Sequence, residues 1–251
     1  MDKFVCTDTV VPLRTGPSHK AEMGSQILLG EKFTILDKVG CWSKIALLYD
    51  AYSGWVDNDH FMLSQISGSE KSSLVREGIM AKNNKNESLY IFPGSEVYNL
   101  KKDGKVFDIG PDSYTCESDL KIPELNESIC ETAFRFINAP YLWGGRTAFG
   151  IDCSGLSQIC IKIHGRSIPR DSFNQATVGT TVNLLSDALP GDLLFFDNSE
   201  GKITHVGILF DSKHIIHASG SVRIDIIDHQ GIFNKDRDAY THKLRLIKRI
   251  N

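Results

Sequence analysis

Two hydrophobic periodicities divide this chain, and their arrangement constrains the fold more than any other feature. Up to about residue 120 the apolar residues recur in short runs with a period of two. From residue 121 a period of three to four takes over, and then the shorter period returns. In the first part VVPLRTG, SQILLGEKFTILDKVG, WSKIALLYD and GWVDNDHFML are strand-like runs. Gly, Asp and Asn punctuate them at roughly 8–12-residue spacing. Ile45, Leu47 and Tyr49 alternate with Lys44, Ala46 and Leu48, which suits a strand with one wet face. Ile35, Val39 and Trp42 are expected to fill a small β-barrel or sandwich.

Residues 66–120 repeat this character more faintly. SGSEKSS reads as a polar linker, and KKDGK as a hairpin turn, since Asp-Gly accepts positive φ cheaply. The expected organisation is an all-β module over 1–65, a second small β module over 66–120, and an α+β domain over 121–251. In that last region Ile129, Ala133, Phe136 and Ile137 fit one helix face, with Asn126 as its cap. A second amphipathic helix starts near Cys153, carries Leu156, Ile159, Cys160 and Ile163, and ends at Gly165. LLFFD, THVGILFD and HIIHAS follow as strands, and VRIDIID and KLRLIKRI extend the sheet. Helices first and an antiparallel sheet after define the class.

Composition narrows the functions. Lys and Arg number 28 against 31 Asp and Glu, a net charge of −3, so the basic excess of a nucleic-acid binder is absent. The cysteines at 6, 41, 116, 130, 153 and 160 form no CxxC pair and are too sparse for a disulfide framework. By count alone they read as small buried apolar side chains. No run of about 18 apolar residues suggests a membrane span, and no signal-like run precedes Pro12. The expected location is therefore the cytoplasm as written, or the periplasm or cell envelope if a leader has been removed.

The stretch PYLWGGRTAFGIDCSGLSQICIKIHG carries the chemistry. Gly144, Gly145 and Gly150 interrupt regular structure, and Cys153 then stands at a helix start, where unpaired N–H groups and the macrodipole favour a thiolate. That position predicts a lowered thiol pKa. A nucleophilic cysteine needs a base held by a third polar group. KITHVGILFDSKHIIHASG supplies His205 on one strand and His217 on the next, with a hairpin at 211–213 to bring them side by side. On spacing alone His214 competes with His217 for the third role.

The marks YLWGG, GIDCSG, IPRDS, LPGDLLFF, THVGI and IIHAS, in this order over 121–251, resemble the NlpC/P60 family of cysteine peptidases. The upstream modules resemble bacterial SH3-like domains. The resemblance implies a papain-like α+β catalytic domain behind two small SH3-like barrels. It implies Cys153 as nucleophile, His205 as general base, His217 as third polar residue, and Tyr141 as a phenol beside the thiol. The reaction it implies is hydrolysis of the amide between γ-linked D-glutamate and a diamino acid in murein peptides, with no metal or cofactor and no nucleic-acid partner. Members with SH3-like modules resemble recycling enzymes acting on peptides with a free N-terminal L-alanine, one end of the cleft being closed by the first module. Glu22 and Tyr52 match residues serving that end, and Asp152, Ser154, Asp171 and Ser172 the catalytic-side substrate site. A wall-binding protein without turnover, and an amidase or acyltransferase on the same fold, are the competing readings. Arg146, Arg166 and Arg170 are expected to supply local positive charge for an anionic substrate. Nothing in the sequence requires more than a monomer.

Overall fold

The computed structural model describes residues 3–60, 72–122 and 127–250. The chain separates into two compact units, Met1–Leu125 and Asn126–Asn251.

Among its described residues, unit one is built from strands with one short 3-10 turn at Asn58–His60. β1 (Phe4–Val5), β2 (Val10–Arg14), β3 (Met23–Leu28), β4 (Lys32–Val39), β5 (Trp42–Leu47) and β6 (Ser53–Asp57) form one sheet in the order β1-β4-β5-β6-β2-β3. β7 (Ser72–Leu74), β8 (Ile79–Asn83), β9 (Ser88–Ile91), β10 (Glu96–Tyr98), β11 (Val106–Ile109) and β12 (Asp112–Cys116) form another, ordered β7-β10-β11-β12-β8-β9. Renumbered from its own first strand, the second order is the first order again. The topology therefore repeats where no close sequence repeat does, because turn positions and alternation, not residue identity, set the pairing.

Alternation is visible in β5, where Ile45 and Leu47 are buried and Lys44 and Ala46 are half-buried. Ile35 and Trp42 pack inward as expected, whereas Val39 is half exposed at the end of β4. The KKDGK turn joins β10 to β11, with Gly104 at φ 72° and the Lys105 N–H donating to Asp103 Oδ1. Ser67–Lys71 of the expected linker, and Phe61–Leu63, lie outside the described residues, while Ser72 and Ser73 belong to β7.

Unit two starts with helices. α1 (Ile129–Phe134) is capped by Ser128, which takes the Glu131 N–H while Glu131 reaches back to the Ser128 N–H. Ser128 thus replaces the expected cap, Asn126, which lies outside the described residues. The helix is also shorter than its periodicity predicted, since Phe136 and Ile137 fall in the turns after it. The short pair β13 (Arg146–Thr147) and β14 (Gly150–Ile151) leads into α2 (Cys153–Ile163), which ends with Gly165 at φ 72°. Every residue of α2 is buried, Gln158 and Lys162 included, so it is a central helix and not a half-wet one.

After α3 (Ser172–Gln175) come β15 (Thr180–Val182), β16 (Leu193–Asp197), β17 (Ile203–Asp211), β18 (His214–Ser219), β19 (Ser221–Ile227), β20 (Gly231–Asn234) and β21 (Ala239–Arg249). The antiparallel order is β15-β21-β16-β17-β18-β19-β20, and β20 pairs again with β21. The expected antiparallel sheet closes on itself: β16 to β21 form a six-stranded barrel filled by Leu194, Phe196, Leu209, Ile215, Ile227, Ile232 and Ile247. Among the described residues no helix is long and apolar enough to cross a membrane.

Candidate active site

The head of α2 is organised by one carboxylate. Asp152 is the N-cap: its Oδ1 accepts the Gly155 N–H at 2.6 Å and its Oδ2 the Gly144 N–H at 2.8 Å. Arg170 grips both oxygens from its two terminal nitrogens, at 3.0 and 2.7 Å, and also donates to Ser154 Oγ at 2.8 Å. Asp152 and Arg170 are almost entirely buried. The Asp152 carboxylate is committed to the chain's own donors, and its role is to hold the turn that presents Cys153. Glycine is required here for close approach: a Cβ on Gly155 would collide with the Gly145 carbonyl oxygen.

The Cys153 thiol accepts hydrogen bonds from the backbone N–H groups of Val206 and Ser154. Its position against Val206 sets it beside His205, one residue earlier on β17. Burial pushes the thiol up to about 12, and the Asp152 charge pushes the same way, against the two N–H bonds and the Arg170 charge. This corrects the expected lowering: a helix terminus favours a thiolate, but a buried thiol beside a carboxylate loses more by desolvation than the terminus returns.

His205 and His217 meet as expected from adjacent strands, with Gly207 the register partner of His217. His205 Nε2 lies 2.9 Å from His217 Nδ1, and His217 Nε2 lies 3.0 Å from Asp225 Oδ2 on β19. Arg223 donates to Asp225 Oδ1 at 2.9 Å. His214 is elsewhere, paired with Asp211 in the β17–β18 turn. Burial holds His205 well below the ordinary imidazole value, reinforced by His242 and His217. Burial would raise Asp225, but the bonds from His217 and Arg223 win and keep its carboxyl below the usual range. With Asp225 accepting from His217 Nε2–H, His217 Nδ1 is an acceptor, His205 Nε2 carries the donated proton, and His205 Nδ1 keeps its lone pair.

Tyr141 is joined to Ile151 by a parallel bridge, one residue before the Asp152 cap. Its phenol is pushed up to about 12 by burial and by the charges of Cys153 and Asp152, so it stays a proton donor beside the thiol. Asp171 stands at the N-cap of α3 without a capping bond from its side chain, and Ser172 opens that helix, buried. Glu22 is exposed and Tyr52 half-buried in unit one, where Tyr52 packs against the first core.

Two site residues had been missed. Asp225 extends the relay by one member. His242 on β21 stacks on His205. Asp225 reaches the site through the β18–β19 pairing, and His242 through the closure of the sheet into a barrel. The arginines also differ from expectation: Arg146 and Arg170 are buried within the fold, and Arg166 donates to the Ile250 carbonyl at 2.6 Å. Of the cysteines, Cys41 is exposed, so packing does not account for it.

A buried thiol at a helix head and an imidazole–imidazole–carboxylate series on an antiparallel barrel are the groups that thiol hydrolysis requires. Residues 138–241 match the NlpC/P60 family, and residues 13–61 match the bacterial dipeptidyl-peptidase SH3 domain. The chain carries an NlpC/P60 domain preceded by that SH3 domain. Among curated relatives, the γ-D-glutamyl-L-lysine dipeptidyl-peptidase of Bacillus cereus is 28% identical over 82% of this chain and 70% of its own length. Its counterpart from Bacillus subtilis is 29% identical over 85% of this chain and 74% of its own. A crystal structure of an NlpC/P60 family protein from Bacillus cereus covers 98% of this chain and 99% of its own, with a TM-score of 0.79 at 21% identity, a likeness of fold.

Proposed function

We propose that this protein is a cysteine endopeptidase that hydrolyses the γ-D-glutamyl-L-diamino-acid amide in murein-derived peptides with a free N-terminal L-alanine, releasing L-Ala-γ-D-Glu. The observation that carries the reading is the series His205–His217–Asp225, together with the Cys153 thiol on the N–H of Val206, the residue after His205. The names of the Bacillus relatives support the substrate class.

At rest the proton stays on sulfur, because burial raises the thiol and lowers the imidazole. Proton transfer to His205 Nδ1 accompanies attack of the sulfur on the γ-carbonyl carbon. The oxyanion that forms takes hydrogen bonds from the Tyr141 phenol and the Cys153 backbone N–H. The His205 imidazolium then protonates the leaving amine, and the C–N bond breaks. Water, giving its proton to His205, hydrolyses the thioester and regenerates the thiol. His217 and Asp225 fix the His205 tautomer throughout.

Ser154, Asp171 and Ser172 are proposed to contact the substrate, with Asp152 shaping the turn that carries Ser154. Glu22 and Tyr52 are proposed to recognise the free ammonium, since a desolvated cation requires anionic and hydrogen-bonding partners. The test is mass spectrometry of L-Ala-γ-D-Glu-L-Lys and its diaminopimelate analogue, each free and N-acetylated. Release of L-Ala-γ-D-Glu from the free peptides alone is expected, and none from Cys153→Ala. Release by Cys153→Ala, or no cleavage of any peptide by the wild type, would sink the proposal.

A further inference from the structure

The mouth of the β16–β21 barrel holds one more imidazole than the relay employs. His205 on β17, His217 on β18 and His242 on β21 each offer a ring nitrogen, and the three nitrogens lie within 4.8 Å of one another. The ring centroid of His242 is 4.1 Å from that of His205 and 5.7 Å from that of His217. Two of the rings are held from outside the cluster. His217 Nε2 bonds Asp225 Oδ2 at 3.0 Å, and His242 Nδ1 bonds Thr241 Oγ1 at 2.9 Å. His217 Nδ1 lies 2.9 Å from His205 Nε2, and His242 contributes a ring nitrogen within 4.8 Å of both.

We propose that these three nitrogens form a binding site for a divalent transition-metal ion of the zinc class, and that its occupation switches the thiol chemistry off. Tetrahedral coordination at zinc–nitrogen distances of about 2.0–2.1 Å places ligand nitrogens about 3.3 Å apart. The closest pair stands at 2.9 Å and no pair exceeds 4.8 Å, so small ring rotations complete the geometry. Asp225 behind His217 is the carboxylate–histidine arrangement that orients metal-ligating imidazoles, and Thr241 does the same for His242. Of the three, His242 borders a cavity of about 690 Å³ that Asp197, Asn198, His229 and Lys243 also line, and an ion would approach from that side. Three protein ligands leave a fourth position for water.

The consequence for His205 follows from its two nitrogens. In the working arrangement Nε2 carries the proton and Nδ1 the lone pair that receives the thiol proton. Metal binding takes the Nε2 lone pair, so the ring proton moves to Nδ1, with no net proton release. Nδ1 is then a donor and cannot accept from Cys153. The inference rests on ring positions and is independent of which bond the enzyme cleaves.

The test uses the full chain as Cys153→Ala, which removes the thiol as an alternative ligand, titrated with Co²⁺ and Zn²⁺. One equivalent of Co²⁺ is expected to give the visible absorption of a four-coordinate nitrogen site, and Zn²⁺ is expected to displace it. Adding His242→Gln should weaken Co²⁺ binding at least tenfold, and adding Asp225→Asn by about 10- to 100-fold. Histidine ¹⁵N spectra of the Cys153→Ala protein need no substitution in the cluster, and one equivalent of Zn²⁺ should move three imidazoles together. Binding that requires Cys153, binding indifferent to His242→Gln, or ¹⁵N shifts confined to other histidines would each overturn the proposal.

Discussion

His242 lies face to face with His205, ring centroids 4.1 Å apart and planes 26° from parallel. A charge on either ring is felt by the other, and it lowers the affinity of His205 for a proton. In metal-free protein the acid limb of kcat/KM is therefore expected below pH 6.5, because the base must be neutral to accept from the thiol. Replacing His242 with Phe removes one opposing charge while Asp225 and His217 stay in place. His205 then protonates at higher pH, and the acid limb moves upward. Superimposable limbs for the two proteins, measured in chelator-treated samples, would show that the stacked ring has no electrostatic role.

Cys153 and His205 are displaced in opposite directions, the thiol up to about 12 and the imidazole well below its usual value. A resting thiolate–imidazolium pair is disfavoured on both counts. The rate of iodoacetamide alkylation at Cys153 is accordingly expected to climb steadily between pH 6 and 9. A plateau across that range would mean that the ion pair pre-exists.

Asp225 touches His217 and not the base itself. Asp225→Asn is expected to lower kcat roughly tenfold to a hundredfold, less than the ~10⁴-fold seen when the acceptor bonded directly to a catalytic histidine is neutralised. KM should change little. A full ~10⁴-fold loss would place Asp225 closer to the proton transfer than its position behind His217 implies.

Arg170 is a structural residue. Its pair with Asp152 is buried on both sides, with side-chain exposures of 1% and 7%. Breaking such a pair by removing one member costs about 3–5 kcal/mol. Arg170→Ala should lose that much in chemical denaturation. A variant of unchanged stability with only a raised KM would restore the substrate-binding role expected from the sequence.

Tyr141→Phe removes one donor from the oxyanion without changing the ring. The expected loss is about 10²-fold in kcat at nearly constant KM. An unaltered kcat would limit the phenol to packing under the loop.

Much of this site is legible in the sequence because its parts are local. Cys153 is announced by the glycines before it and the helix after it, and His205 and His217 by two strands joined through a short hairpin. Asp225 and His242 are not local. In VRIDIID the alternation puts Arg223, Asp225 and Ile227 on one face, but only the β18–β19 register, which pairs His217 with Arg223, brings that face to the relay. His242 depends on a closure that pairs Ile232 with His242 across the seam. Alternation foretells strands, but not that the first and last of them will meet. The direction of the Cys153 shift is illegible for a related reason: the helix terminus is written in the sequence, whereas the depth of burial belongs to the assembled domain. In unit one the signals over 66–120 are faint, and the repetition of the first strand order emerges only from the pairing.

β21 hydrogen-bonds to β15, β16 and β20 along its eleven residues. A strand with partners on both sides cannot fray from one ladder without loosening the other. Its amides should therefore be among the last in this unit to exchange with solvent, and their exchange should report the opening of the whole barrel. His242 sits in that seam, so its stack on His205 is as durable as the barrel itself.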